Sequence, residues 1–170
     1  DPLPRQFTAR IRLHQVDGLD PKDGPALVCC SARMDLHGAP MSRTWVKLGE
    51  TAKKSDATVT LGEPVQGWRV GDRVIVTATK PRRSGEYRRS GVETEERVVK
   101  SVERENLTLD KPLEYEHYAA GDYRGEVANL SRNVVVESAE PDKARGHTMY
   151  HRGSAGSISY AEFRHLGKEN

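Results

Sequence analysis

Cysteine, aromatic side chains and long apolar runs are all scarce in this 170-residue chain. Its two cysteines, Cys29 and Cys30, are neighbours, and a disulfide between adjacent residues is strained. With Ala26-Leu-Val28 before them they read as packing residues of a buried strand, and they leave the redox compartment open. No apolar run approaches the ~20 residues that span a bilayer, so no membrane segment is expected. The start, Asp1-Pro-Leu-Pro-Arg5, lacks the basic, apolar, small-residue order of a signal peptide. Charge of one sign is lacking too, with 27 Lys and Arg against 25 Asp and Glu. A net charge of +2 and the absence of a basic stripe argue against a nucleic-acid partner, and any polyanion site must be local. Gly153-Ser-Ala-Gly156 is not a nucleophile elbow, and no phosphate-binding glycine loop of recognised form occurs.

What is present is β grammar. Thr8 to His14 alternates Ala9, Ile11 and Leu13 with Arg10, Arg12 and His14, the period of a strand that is half buried and faces solvent on one side. Ala26 to Ser31 and Met34 to Leu36 read as further strands on either side of turns. The run Val59-Thr-Leu-Gly-Glu-Pro-Val65 is echoed 48 positions later by Leu107-Thr-Leu-Asp-Lys-Pro-Leu113, each strand ended by a proline that cannot donate to a ladder. Arg73 to Thr79 is rich in β-branched residues and is the most secure strand, with Trp68 expected to cap its core. Arg97 to Val102 is another strand. Between them, residues 80 to 96 form a charged loop.

The last quarter holds three strand-like runs, Arg124 to Glu137, Gly146 to His151 and Gly156 to Gly167, separated by glycine-rich corners. That spacing predicts the winding of a right-handed parallel β-helix. Asn133 and Ser157 open equivalent runs 24 positions apart, within the repeat of about 20–50 residues found in solenoids. A solenoid unit cannot bury its apolar face alone, so further coils or a cap are expected after Asn170.

Three groups are candidate sites. The loop from Lys80 to Arg89 carries Arg82, Arg83, Arg88 and Arg89 with Tyr87 among them, suited to carboxylate or sulfate oxygens and to a sugar face. Its plainer reading is a solvated loop balanced by Glu93, Glu95 and Glu96. His147 and His151 have helical metal-ligand spacing, but on a strand at ~3.3 Å per residue they are too far apart to share one zinc ion. Folding can still bring His147 and His165 to Asp35 and His37, although hydrogen-bonded structural histidines are the commoner outcome. Asp122, Arg124 and Glu126 alternate, so an extended segment puts them on one face. Two carboxyl groups suit acid and base work on a glycosidic bond, with Arg124 orienting an acidic sugar; the alternative is an ion-paired corner. Asn106-Leu-Thr108 and Asn129-Leu-Ser131 match the glycosylation sequon.

Met34-Asp-Leu-His-Gly38, Gly67-Trp-Arg-Val-Gly-Asp72, Asp122-Tyr-Arg-Gly-Glu-Val127 with Leu130-Ser-Arg-Asn133, Gly146-His-Thr-Met149 and Glu162-Phe-Arg-His-Leu-Gly167 occur in an order that resembles the eight-glycine-domain proteins. Within these the likeness is to the cell migration-inducing, hyaluronan-binding family and its bacterial relatives. The resemblance implies an all-β chain: residues 1–79 as the closing part of a sandwich or roll-like eight-glycine domain, 80–96 as a charged loop, and 97–170 as the first coils of a parallel β-helix. It also implies an extracellular or cell-surface setting and an acidic polysaccharide such as hyaluronan as ligand, with hydrolysis in the full-length protein. Asp122, Glu126 and Arg124 are then the catalytic candidates, and Arg82, Arg83, Tyr87, Arg88, Arg89, His147 and His165 the substrate-binding ones. No cofactor motif is evident; the resemblance admits calcium, with no ligands assigned. Where animal relatives carry an acidic residue and a tyrosine, this chain has Lys80-Pro81. The rival expectation is a non-catalytic adhesion solenoid that binds protein partners.

Overall fold

The period-two polarity and β-branched content become strands throughout, and the computed structural model describes residues 1–20, 23–80 and 93–167. Among the described residues there is no helix, and therefore none long and apolar enough to cross a membrane. The chain divides into two units, Asp1–Pro40 together with Arg132–Asn170, and Met41–Ser131. These boundaries differ from the expected 1–79, 80–96 and 97–170, because the first forty residues pair with the last forty rather than with their neighbours in sequence.

The first unit is a parallel coil. Its strands are β1 (Ala9–Leu13), β2 (Ala26–Cys29) and β3 (Leu36–His37) from the start of the chain. In the second unit lie β4 (Trp45–Lys47), β5 (Thr58–Thr60), β6 (Arg73–Val76), β7 (Glu95–Glu103), β8 (Asn106–Leu109), β9 (Ala119–Ala120), β10 (Tyr123–Arg124) and β11 (Glu126–Asn129). The chain then returns to the coil as β12 (Val134–Ser138), β13 (His147–Tyr150), β14 (Ile158–Ser159) and β15 (Ala161–Arg164). β1, β12 and β15 form one parallel sheet, β2 pairs with β13, and β3 with β14, so successive turns of chain stack strand upon strand. Leu13, Leu36, Val134 and Val136 fill the interior with Ile11, Leu27, Met34 and Ala161 against them.

Three details differ from the sequence reading. A coil of three strands, β1 to β3, precedes the inserted unit in sequence and stacks on the strands that follow it. Val134 pairs with Ala161, and Ser157 belongs beside β3, so Asn133 and Ser157 are not equivalent. The reason is local: the run from 156 to 167 turns at Tyr160 (φ 49°) and serves two faces of the coil. Cys29 is buried, whereas Cys30 is exposed.

In the second unit the order is β4-β11-β6-β7-β8-β5, antiparallel throughout. Gly49 N donates to Thr60 O and Gly62 N to Lys47 O, so the two edge strands meet at one end. Val74, Val76, Val99, Leu107 and Val127 are fully buried in its core, each worth about 1.5–3 kcal/mol relative to exposure. The echoed runs turn out to be neighbours: Val59 faces Leu107 across β5 and β8. Trp68 is buried as expected, its indole N–H donating to Arg43 O at 2.8 Å.

Candidate functional site

Of the residues expected to carry chemistry in the second unit, Asp122 and Arg124 lie in the β9–β10 ribbon and Glu126 in β11. The alternation that was to align them is interrupted. Gly121 (φ 54°) and Asp122 make the turn of the ribbon, and the chain changes partner at Gly125, from β9 to β4. Asp122 is therefore an exposed turn residue, whereas half-buried Glu126 opens β11 opposite Lys47. Arg124 is largely committed to the backbone. Its Nε donates to Gly121 O at 2.8 Å, and its Nη1 to Leu48 O and Gly49 O at 3.0 and 2.6 Å. Of its five donors, those on Nη2 have no acceptor among the described residues. The guanidinium fixes the ribbon turn against Leu48 and Gly49, just after β4, and only its tip is left for a ligand.

What the ribbon presents is aromatic. Tyr118 and Tyr123 are both exposed, with ring centroids 6.0 Å apart and tilted by 36°. Each is anchored to Thr79: Tyr118 N donates to Thr79 Oγ1 at 2.9 Å, and the Tyr123 hydroxyl donates to Thr79 O. Thr79 directly precedes the charged insertion, whose far end is joined on by Ala78 N donating to Thr94 Oγ1 and by the Lys80–Glu93 ion pair at 3.6 Å. Arg82, Arg83, Tyr87, Arg88 and Arg89 lie outside the described residues.

Beneath this surface is a buried polar cluster. β7 alternates in and out, and its period places Glu95, Arg97 and Val99 on the inner face. The His117 ring bridges Thr77 O through Nδ1 at 2.8 Å and Glu95 Oε1 through Nε2 at 2.9 Å. Glu95 also accepts Glu114 N, Tyr115 N and Arg97 Nη2. Burial pushes the Glu95 carboxyl up, but the Glu114 amide, His117, the Tyr115 amide and Arg97 together outweigh it and hold it below the ordinary range. By sequence alone Glu95 reads as a counter-charge to the basic loop. In the structure it is a buried acceptor that ties the end of the insertion to the His117–Tyr118 segment. The inward alternation read back from Val99 was the signal that points to it.

In the coil, Asp35 and His37 do meet a partner. Ser157 Oγ lies 2.6 Å from His37 Nε2 and donates to Asp35 Oδ1 at 3.0 Å, and Ser157 N donates to the same oxygen. Arg33 Nε donates to Asp35 Oδ2 at 2.7 Å, and that hydrogen bond leads the effects that hold the Asp35 carboxyl low. The cluster staples β3 to β14. His147 opens β13, with Nδ1 buried and without a partner among the described residues, and no contact brings it to Asp35. His165 sits at a corner (φ 52°), where its carbonyl accepts Ser138 Oγ. Among the described residues no group of three His, Cys, Asp or Glu is placed to hold a metal ion. Asn129 of the second sequon is buried, its Nδ2 donating to Asp72 Oδ2 and its Oδ1 accepting Ser131 N, so that sequon is structural.

No family model matches the chain. It is similar to fibrocystin-L of Mus musculus, 31% identical over 118 residues that cover 63% of this chain and 3% of the relative. It is also similar to a G8 domain-containing protein of Dictyostelium discoideum, 29% identical over 140 residues, 81% of this chain and 12% of that one. These matches support the eight-glycine (G8) likeness, and the chain spans only a small part of the length of these relatives. Among solved structures, the gp54 tailspike of Acinetobacter baumannii bacteriophage AP22, in complex with a capsular saccharide, has a TM-score of 0.42. It is 11% identical, with 91% of this chain and 24% of that one covered.

Proposed function

We propose that this chain is a carbohydrate-associated module of an extracellular or cell-surface protein, binding an acidic polysaccharide, with hyaluronan the specific candidate, at the Tyr118–Tyr123 platform. The observation that carries the reading is the anchored pair of exposed tyrosine rings beside Asp122 and the Nη2 tip of Arg124. The Tyr123 ring, held by its hydroxyl at Thr79 O, and the Tyr118 ring, carried on backbone held at Thr79 Oγ1, offer a sugar ring two planar faces for apolar contact. The Asp122 carboxylate accepts from sugar hydroxyls, and Arg124 and the basic insertion that leaves from Lys80 supply positive charge. The eight-glycine resemblance supports carbohydrate as the ligand class. In the full-length protein the same reading makes Glu126 and Asp122 the acid and base pair of a hydrolase. Unchanged shortening of a cleaved polymer by Glu126→Gln in that longer protein overturns this catalytic part.

The test of binding is titration of hyaluronan oligosaccharides into the wild type and into Tyr118→Ala/Tyr123→Ala. A loss of about tenfold per ring is expected, each ring being worth roughly 1.4 kcal/mol. Equal affinity of the two proteins refutes the platform. Absence of binding by the wild type, alongside capture of a protein ligand, favours the adhesion reading instead.

A further inference from the structure

The outer face of the β1–β12–β15 sheet carries charge in a fixed register. Arg12 pairs with Glu137, and Glu137 with Arg164; one step along, Arg10 pairs with Val135, and Val135 with Glu162. Glu137 is the centre. Its side chain is only 8% exposed, and both its oxygens are taken by Arg10 Nη1 at 3.1 Å and one of them by Arg12 Nε at 2.8 Å. The two arginine side chains remain 43% and 57% exposed. Arg164 on the opposite side is turned to Glu162, with Nη2 donating at 2.8 Å.

One arginine neutralises one carboxylate, so the pair around Glu137 leaves a full positive charge in surplus. Arg10 still has Nε and Nη2, and Arg12 has Nη1 and Nη2, without acceptors among the described residues. A buried carboxylate holding two guanidinium groups on one strand face removes much of the rotamer freedom that an exposed arginine surrenders on binding. In the sequence Arg10 and Arg12 are only two solvent-facing arginines, because Glu137 lies 127 and 125 residues away from them.

The geometry points to a second ligand site on the coil, in which Arg10 and Arg12, pre-positioned by Glu137, together take one singly charged oxyanion of a polysaccharide, a uronate carboxylate or a sulfate ester. This inference rests on the polysaccharide reading above but uses neither the tyrosine platform nor the basic insertion. The planar forks match such oxygens bidentately. The Glu137 carboxyl is held low first by the Arg12 hydrogen bond, then, against the cost of its burial, by Arg10, so it remains an anion at neutral pH and keeps both arginines in place.

The test is calorimetric titration of the chain with polygalacturonate, dextran sulfate and neutral dextran. The proteins are wild type, Arg10→Gln/Arg12→Gln, and Arg12→Lys, which keeps the charge and loses the fork. Circular dichroism and amide-exchange protection of β1 and β12 confirm folding of the coil, which holds neither tryptophan. The expected result is about tenfold weaker binding of the acidic polymer for each arginine lost, an intermediate loss for Arg12→Lys, and dextran unaffected. The polygalacturonate and dextran sulfate arms tell carboxylate from sulfate. Unchanged affinity of the double variant for both acidic polymers overturns the site; if Tyr118→Ala/Tyr123→Ala is impaired in the same assay, the platform reading survives without it. No binding of any polymer by the wild type overturns both.

Discussion

Replacing Glu95 by Gln removes one charge and changes almost no volume, yet it strikes the most connected acceptor of the second unit. Two donors converge on each carboxylate oxygen: Glu114 N and Arg97 on Oε2, Tyr115 N and His117 on Oε1. Whichever way the glutamine amide turns, its NH2 meets a main-chain N–H, which is left without an acceptor. Arg97, itself 8% exposed, loses its buried carboxylate. Breaking a buried pair in this manner costs about 3–5 kcal/mol. Total stability of a domain this size is about 5–15 kcal/mol, so the variant forfeits a large share. With roughly 4–8 °C per kcal/mol, Tm of the unit falls by at least about 12 °C. Urea unfolding read by tryptophan fluorescence reports on this unit selectively, because Trp45 and Trp68 both lie within Met41–Ser131. The control is Glu114→Gln, whose side chain is 74% exposed and 3.7 Å from Arg97, and whose cost stays within about 0.5 kcal/mol. A Glu95→Gln loss no larger than the control's refutes the role given to Glu95 in holding the insertion and the tyrosine platform.

The same contacts predict further outcomes. The Glu95 and Glu137 carboxyls are both lowered in the folded state from an ordinary value of 4.5, so their stabilisation is complete above that value and is lost as pH falls through the lowered one. Stability measured by urea titration is therefore expected to be flat near neutrality and to decline below about pH 4.5, less steeply in Glu95→Gln; a decline that begins on the alkaline side contradicts the assignment. Asn133 is buried, with Nδ2 donating to Leu3, Pro4 and Phe7 carbonyls and Oδ1 accepting Ala39 N. Asn133→Asp sets a carboxylate against three carbonyls, so limited proteolysis is expected to cut residues 1–8 first, whereas an unchanged digestion pattern refutes the clamp. At Gly38 a Cβ would sit 2.0 Å from Tyr160 O. Gly38→Ala must push the stacked turns apart, and loss of amide-exchange protection in β3 and β14 is the expected readout.

Strand content was legible because alternation and β-branched runs are local properties. The secure strand at Arg73, the parallel character of the final runs and the all-β class rest on them. The first coil was not legible. Ala9 stacks on Val134 across the whole inserted unit, and nothing near Ala9 in sequence announces a partner so distant. The same separation hid Glu137 from Arg10 and Arg12. Arg124 illustrates a different limit: its type and spacing suggested a ligand contact, but backbone carbonyls of Leu48 and Gly49 compete for the same donors, and the chain changes sheet at Gly125. Tyr118 and Tyr123 stand five positions apart in sequence, and their pairing requires the ribbon turn at Gly121.

The most direct measurement is titration of hyaluronan oligosaccharides against neutral dextran, with chemical-shift mapping on the isotope-labelled chain. Saturable binding of the acidic sugar is expected, with the resonances of Tyr118, Tyr123 and Asp122 among those perturbed. Shifts of equal size with dextran, or none at the ribbon, contradict it.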